Sequence, residues 1–245
     1  MMESFEITDL NTYTQLVNDL AKSGSDLVLY RGQCNDDALL PGIGRIINDA
    51  EGNNISPVIK SDTEQEMLNE FKKKLPNFFQ GTFQNEWDLL AVCQHHGMAT
   101  RLLDWTQNPL IALWFACNSA FIHSTYSVIW VIPTQLSYIY RFDETQTPFE
   151  IDGTKIISPN WVARRIANQS GLFTIHKPGD NAGNLIFKNL DEDETFDPLL
   201  RKFIIPKNKR AELIKELNVY GISHSSVFPD LDGLCKSLNW QYLDR

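Results

Sequence analysis

The sequence predicts an α+β fold in one compact domain covering residues 1–245. Three observations lead there. The chain has 245 residues, 42% hydrophobic and 11% aromatic, enough to bury a core and too apolar for a chain that stays disordered. β-rich runs lie scattered between Leu27 and Ile205, and helical patterns interrupt them irregularly rather than in a repeating strand–helix alternation. No GxGxxG follows a strand, so the signature of a dinucleotide-binding parallel sheet is missing.

Residues 8–23 read as a helix. Leu10, Tyr13, Leu16, Val17 and Leu20 fall on one face, Thr8 or Asp9 supplies the cap, and Gly24 ends it. Residues 26–32 follow as a short buried strand that ends in Arg31-Gly32. Residues 33–60 are irregular. Ser61 and Glu64 stand at capping-box spacing before a helix with the stripe Met67, Leu68, Phe71 and Leu75, closed by Pro76. A helix from Asn85 turns Trp87, Leu90, Ala91 and Cys93 inward and stops near Gly97. Residues 98–107 form a short strand and a turn. Asn108-Pro109 opens the next helix as cap and first helical residue, with Leu110, Leu113, Trp114, Cys117 and Phe121 facing the core. Tyr126–Ile132 is a strand ended by Pro133. Ser158-Pro159 starts a helix through Trp161 and Ile166, which gives way at Gly171 to the strand Leu172–His176. Residues 177–183 carry turn chemistry, and the strand Asn184–Lys188 makes a hairpin with the preceding strand through that long loop. Asp191–Glu194 is an exposed acidic loop and Leu200–Ile205 a third strand. Lys207–Leu217, ending near Gly221, and Pro229–Leu238 are the last helices.

Charge and cysteine usage narrow the function classes. Lys and Arg number 22 against 31 Asp and Glu, a net charge of −9, which argues against generic binding to nucleic-acid backbones. Cys34, Cys93, Cys117 and Cys235 include no CxxC pair, so neither a zinc finger nor a thioredoxin-like site is supported. Cys93 and Cys117 sit among apolar residues and read as buried thiols. The opening MMESFEITDL has no basic-then-apolar signal pattern, and no apolar run reaches the ~20 residues of a membrane span. The expectation is a cytoplasmic chain with no membrane partner.

The densest polar segment runs from Gln94 to Pro109 between two apolar helices. Arg101 and Asp104 carry two readings: an ion pair that holds the turn, or groups facing a ligand. His95 and His96 diverge by about 100° on a helix, which makes them poor co-ligands of one metal, and no HExxH or similar set completes a site; no metal is expected. Arg31 at a strand end, followed by a glycine that lets a backbone or a ligand come close, suits recognition of phosphate or carboxylate, or else a strand-end salt bridge. Cys93 near the two histidines belongs to the apolar stripe, and no GxSxG elbow is present. A phosphoester hydrolase using His95, His96 and Asp104 has the acidic charge and the missing metal set against it.

Several of these segments together resemble the FRG domain: Tyr30-Arg31-Gly32-Gln33, Leu40-Pro41-Gly42, the helix ending Glu70-Phe71, the run Gln94-His95-His96-Gly97-Met98-Ala99-Thr100-Arg101-Leu102-Leu103-Asp104-Trp105-Thr106-Gln107-Asn108-Pro109-Leu110, and residues 165–173. The core motifs span about residues 25–177. Residues 184–245, with Phe228-Pro229-Asp230, resemble the C-terminal strand and helices of family members and are expected to pack on the same domain.

A more distant resemblance is to ADP-ribosyltransferases of the Arg–Ser–Glu type. Those carry a strand ending in Arg, often as Tyr-Arg-Gly; a strand with Ser-Thr-Ser before a helix with Ala-x-x-Phe-Ala; and a strand headed by Glu or sometimes Gln. This chain offers Tyr30-Arg31-Gly32, then Asp104-Trp105-Thr106 before Ala112-Leu113-Trp114-Phe115-Ala116, then Gln169 ahead of a strand. The resemblance implies a central, mostly antiparallel sheet, open to being split in two and flanked by helices. It implies NAD as co-substrate, an ADP-ribosyltransferase or NAD glycohydrolase activity of toxin or defence-effector type, and an acceptor macromolecule it does not identify. It implies catalytic roles for Arg31, Asp104 and Gln169, and ligand contacts from Tyr30, Gly32, His95, His96, Arg101, Trp105, Thr106 and Asn108. Asp104-Trp105-Thr106 is not Ser-Thr-Ser, and Gln169 hydrogen-bonds a ribose without bringing negative charge. That departure moves the acid to Asp104 or its neighbourhood, or leaves a non-enzymatic module that uses the same pocket to hold a nucleotide.

Overall fold

Helix starts follow the caps written in the sequence. In the computed structural model, which describes residues 3–45, 47–48, 54–55, 59–83, 85–118, 124–159 and 171–243, Asp9 accepts a hydrogen bond from the Thr12 amide at 2.7 Å and opens α1, Leu10–Lys22. Helix α2, Thr63–Lys74, begins with no side-chain cap. The capping box expected of Ser61 and Glu64 does not form, because Glu64 is turned inward and bonds to Arg101. Asn85 accepts from the Asp88 amide at 2.8 Å and opens α3, Glu86–His95. Asn108 caps α4, Pro109–Cys117, with Pro109 as its first residue. Then come α5, Arg210–Val219, the single turn α6, His224–Val227, and α7, Leu231–Tyr242, capped by Asp230. Gly24 and Gly97 take φ of +90° and +87° just beyond α1 and α3, a backbone that a Cβ disfavours.

The strands are β1, Glu3–Glu6; β2, Leu27–Gln33; β3, Ile47–Asn48; β4, Asn54–Ile55; β5, Ile59–Lys60; β6, Leu102–Thr106; β7, Tyr126–Thr134; β8, Lys155–Ile157; β9, Gly171–Ile175; β10, Gly179–Asn181; β11, Asn184–Ile186; and β12, Arg201–Pro206. Seven of them form one sheet in the order β1-β12-β7-β2-β6-β9-β8, antiparallel throughout except for the parallel pair β1 and β12. The fold is therefore α+β with a mostly antiparallel sheet. The sheet is continuous rather than split, yet β2 and β6 meet at one registered pair among the described residues, Tyr30 with Thr106.

Four sequence expectations change. The strand β1 is unforeseen; four residues carry too little periodicity to announce it. Pro133 does not end β7 but pairs with Val28 within it; β12 pairs with β7 only as far as Val131, so the proline sits where the strand has one neighbour. The hairpin near residue 180 is formed by β10 and β11, which join β5 in a separate three-stranded sheet; the strand at Leu172 instead pairs with β6 and β8. The helix expected to reach Phe121 ends at Cys117. Phe121 and the helix expected around Trp161 and Ile166, with Gln169 after it, lie outside the described residues.

Alternation along the strands divides the core. Tyr30, Ile129, Val131, Phe203 and Ile205 pack under α1, α4, α5 and α6. The alternate residues Leu27, Leu29, Leu103, Trp105, Trp130 and Ile132 form the other face, covered by Leu39, Leu190, Phe196 and Leu200. Helices α2 and α3 pack with Leu102, Phe173 and Ile175 at the far end of the first face. Each such fully buried side chain contributes about 1.5–3 kcal/mol. Cys93 and Cys117 are buried, and burial pushes each thiol up to about 12. Among the described residues no helix is long and apolar enough to cross a membrane.

Candidate functional site

Between α3 and α4, over the point where β2 and β6 part, lies a cleft of about 300 Å³. Its existence follows from the register. Among the described residues β2 pairs with β6 at Tyr30 and Thr106 alone, so on its β2 side the Asp104 carbonyl is left without a ladder partner. Arg31 fills that place: its Nη1 donates to the Asp104 carbonyl at 2.9 Å and lies 3.8 Å from the Asp104 carboxylate. Gly32, Gln94, His95, Thr106, Phe115 and Phe173 also line the space.

The guanidinium is nearly enclosed, and burial draws its pKa down to about 10, partly offset by Asp104. It remains a cation at neutral pH. Its Nε is buried without a hydrogen-bond partner among the described residues, a state that costs about 1–3 kcal/mol and more on a charged group. Asp104 is held from the other side. Gln94 Nε2 donates to Asp104 Oδ2 at 2.8 Å, and Thr100 Oγ1 donates to Gln94 Oε1 at 2.7 Å while accepting from the Leu102 amide at 3.1 Å. This relay leaves Asp104 Oδ1 without a bond among the described residues, on a side chain about half exposed. The cleft thus presents one cation and one oriented carboxylate oxygen.

Trp105 is a buried core aromatic whose Nε1 donates to Thr174 Oγ1 at 3.1 Å. Thr174 Oγ1 lies 3.0 Å from His176 Nε2, and burial drives His176 down to about 3, so the ring is neutral. Tyr30 reaches the cleft from the core side, with its hydroxyl pushed up to about 12 by burial. Gly32 lets a backbone come close: a Cβ there would overlap the Ala112 carbonyl oxygen of α4. Thr106 lines the cleft and accepts from the Asn108 amide at 3.0 Å.

Three residues expected at a ligand lie elsewhere. Arg101 is buried away from the cleft. Its Nε donates to Glu64 Oε2 at 2.7 Å, its amide donates to Glu64 Oε1 at 2.7 Å, and its guanidinium stacks 4.7 Å from the Phe149 ring centroid. The pairing of Arg101 with Asp104 is therefore replaced by two separate pairs, because along extended chain residues an odd number of positions apart point to opposite faces. Asn108 spends its side chain on the α4 cap, accepting from the Leu110 and Ile111 amides. His96 is exposed beyond α3 and lines a second, apolar hollow with Phe71, Leu75 and Phe78, its ring edge-on to His95 at 5.0 Å. Gln169 lies outside the described residues.

Gln94, Thr100, Phe115 and His176 are the contributors that sequence reading left unassigned. The spacing of Gln94 and Thr100 around the turn at Gly97 was the available signal for the first two. Among the described residues no group of three His, Cys, Asp or Glu side chains is placed to hold a metal. Residues 26–124 match the family model described as the FRG domain. No curated protein and no solved structure matches the chain.

Proposed function

Residues 26–124 of this chain are an FRG domain, and on that premise we propose that its cleft takes NAD as substrate and breaks the nicotinamide–ribose bond, as an ADP-ribosyltransferase or NAD glycohydrolase does. The observation that carries the reading is the juxtaposition of a buried cation and an oriented carboxylate on neighbouring strands of one cleft. NAD presents the complement of both: an anionic pyrophosphate for Arg31, and a ribose carbon that gains positive charge as its bond to nicotinamide lengthens. The bond between C1 of the ribose and the pyridine nitrogen breaks, and its electron pair leaves on nicotinamide. The oxygen of water, or a nucleophile of an acceptor, forms the new bond to C1 and loses its proton to solvent. Asp104 meets the developing charge through Oδ1, and Gln94 keeps it aimed. A volume of about 300 Å³ lies at the lower end of ligand sites and suits the nicotinamide riboside end, with the remainder of the dinucleotide over the rim.

A second reading, a nucleotide sensor without turnover, is favoured by Gln169, which is neutral where those transferases carry Glu. One experiment separates the two. NAD binding is measured by calorimetry and nicotinamide release by chromatography. Arg31→Ala is expected to weaken binding roughly 10–100-fold, the equivalent of about 1.5–3 kcal/mol for a bond to a charged group. Asp104→Asn is expected to bind and to release nicotinamide about 100–1,000-fold more slowly. Binding without product in the unsubstituted chain selects the sensor. No binding at millimolar NAD refutes both.

A further inference from the structure

Arg210 is the first residue of α5 and is 4% exposed, so its guanidinium lies inside the fold. Its Nη2 donates to the Cys34 carbonyl at 2.8 Å, while Nε and Nη1 are buried without a hydrogen-bond partner among the described residues. A buried charge is ordinarily met by an opposite one. A helix N-terminus does not supply it, because the dipole is positive there. Asp36, two positions beyond Cys34, is already held by Lys202 at 2.6 Å and by the Tyr126 hydroxyl at 2.7 Å. Burial draws the Arg210 pKa down, and the groups that oppose this are the thiols of Cys34 and Cys117, with no carboxylate beside them among the described residues.

The two thiols differ in what they can do. Cys117 is 6% exposed, and burial pushes it up to about 12. Cys34 directly follows β2 and is partly exposed. Covalent geometry, taken with the bond to its carbonyl, puts its sulfur within about 7 Å of the guanidinium. Partial exposure beside a cation is the setting in which a thiol reacts. We propose that Cys34 is an oxidation site, where hydrogen peroxide converts the thiol to a sulfenic acid. The Cys34 thiolate attacks one peroxide oxygen; the S–O bond forms and the O–O bond breaks. Sulfur gives up two electrons, the second oxygen departs as hydroxide, and the proton lost by the thiol joins it as water. At rest Sγ donates to the Phe115 carbonyl at 3.0 Å, which favours the protonated thiol. The guanidinium carries a full charge and outweighs that single carbonyl dipole. Nε and Nη1 of Arg210 are donors in reserve for the new oxygen. Phe115 lines the cleft, so the oxygen is added behind one cleft wall whatever the cleft binds.

The test follows each cysteine of the full chain by peptide mass spectrometry. Iodoacetamide labelling is timed at pH 6.5, and sulfenic acid is trapped with dimedone present throughout exposure to hydrogen peroxide. Cys34 is expected to alkylate roughly 3–10-fold faster than Cys235, although Cys235 is the more exposed, and to take dimedone first. Arg210→Gln is expected to slow Cys34 below Cys235 and to remove its lead in the dimedone reaction. If Arg210→Gln fails to fold, which equal labelling of all four cysteines reveals, the order of reaction in the unsubstituted chain decides alone. Faster alkylation of Cys235 than of Cys34, dimedone on Cys235 before Cys34, or an unchanged Cys34 rate in a folded Arg210→Gln chain overturns the proposal.

Discussion

Replacing Arg101 by methionine removes half of an ion pair whose side chains are 4% and 1% exposed. Methionine keeps much of the stem volume and loses both the charge and the Nε bond to Glu64. Among the described residues the Glu64 carboxylate then keeps only the Arg101 amide as a donor, in a site that burial already makes unfavourable for it. Breaking a buried pair in this way costs about 3–5 kcal/mol. In a chain of this length that lowers the melting temperature by roughly 6–20 °C, at about 2–4 °C per kcal/mol. The loss depends on pH with a definite sign. Burial raises the Glu64 pKa above its ordinary 4.5, and attraction to Arg101 opposes that rise; without Arg101 the folded-state value climbs further. An acid whose folded pKa is raised is stabilising while protonated and loses that contribution as pH rises through the folded value. The deficit of Arg101→Met is therefore expected to be small at pH 4.5 and to widen toward pH 8, read from urea midpoints at both. A Glu64→Leu, Arg101→Met double substitution is expected to recover most of the stability. Unchanged midpoints in Arg101→Met together with lost NAD binding would refute the structural assignment and return Arg101 to the ligand.

Gly32→Ala places a methyl group on the Ala112 carbonyl; α4 must shift, and a loss of about 1–3 kcal/mol in urea unfolding is expected, as for overpacking elsewhere. A chain of unchanged stability would show that β2 and α4 are not in contact there. Thr100→Val removes the hydroxyl that joins the Leu102 amide to Gln94. It is expected to cost about 1–3 kcal/mol and to slow nicotinamide release more than it weakens NAD binding, whereas equal effects on both would deny the relay a role in aiming Asp104. His176 is neutral with a folded pKa of about 3 against an ordinary 6.5. The unfolded chain takes up the proton first, so stability falls by about 1.4 kcal/mol per pH unit as pH drops below 6.5. His176→Gln is expected to flatten that slope between pH 6.5 and 5, and parallel slopes would contradict a neutral buried ring.

Local chemistry was readable and distant pairing was not. Asp9, Asn85 and Asn108 cap the helices they announce, because a cap is decided within three residues. The segment at Glu64 misled for the same reason: its capping-box spacing is a local pattern, overridden by a buried arginine 37 positions away. Arg31 and Asp104 were both singled out, but their contact, 73 positions apart, depends on where β2 leaves β6.

Residue types and their spacing determined the α+β class, the caps, the inert thiols and the segments that carry polar chemistry, since each rests on propensity or periodicity over a few residues. Only the tertiary structure decided which of two arginines faces the cleft, which acid each one meets, and that Arg210 lies buried beside Cys34. Those outcomes are set by strand register and by which buried charges find partners, and neither quantity exists until the sheet has closed.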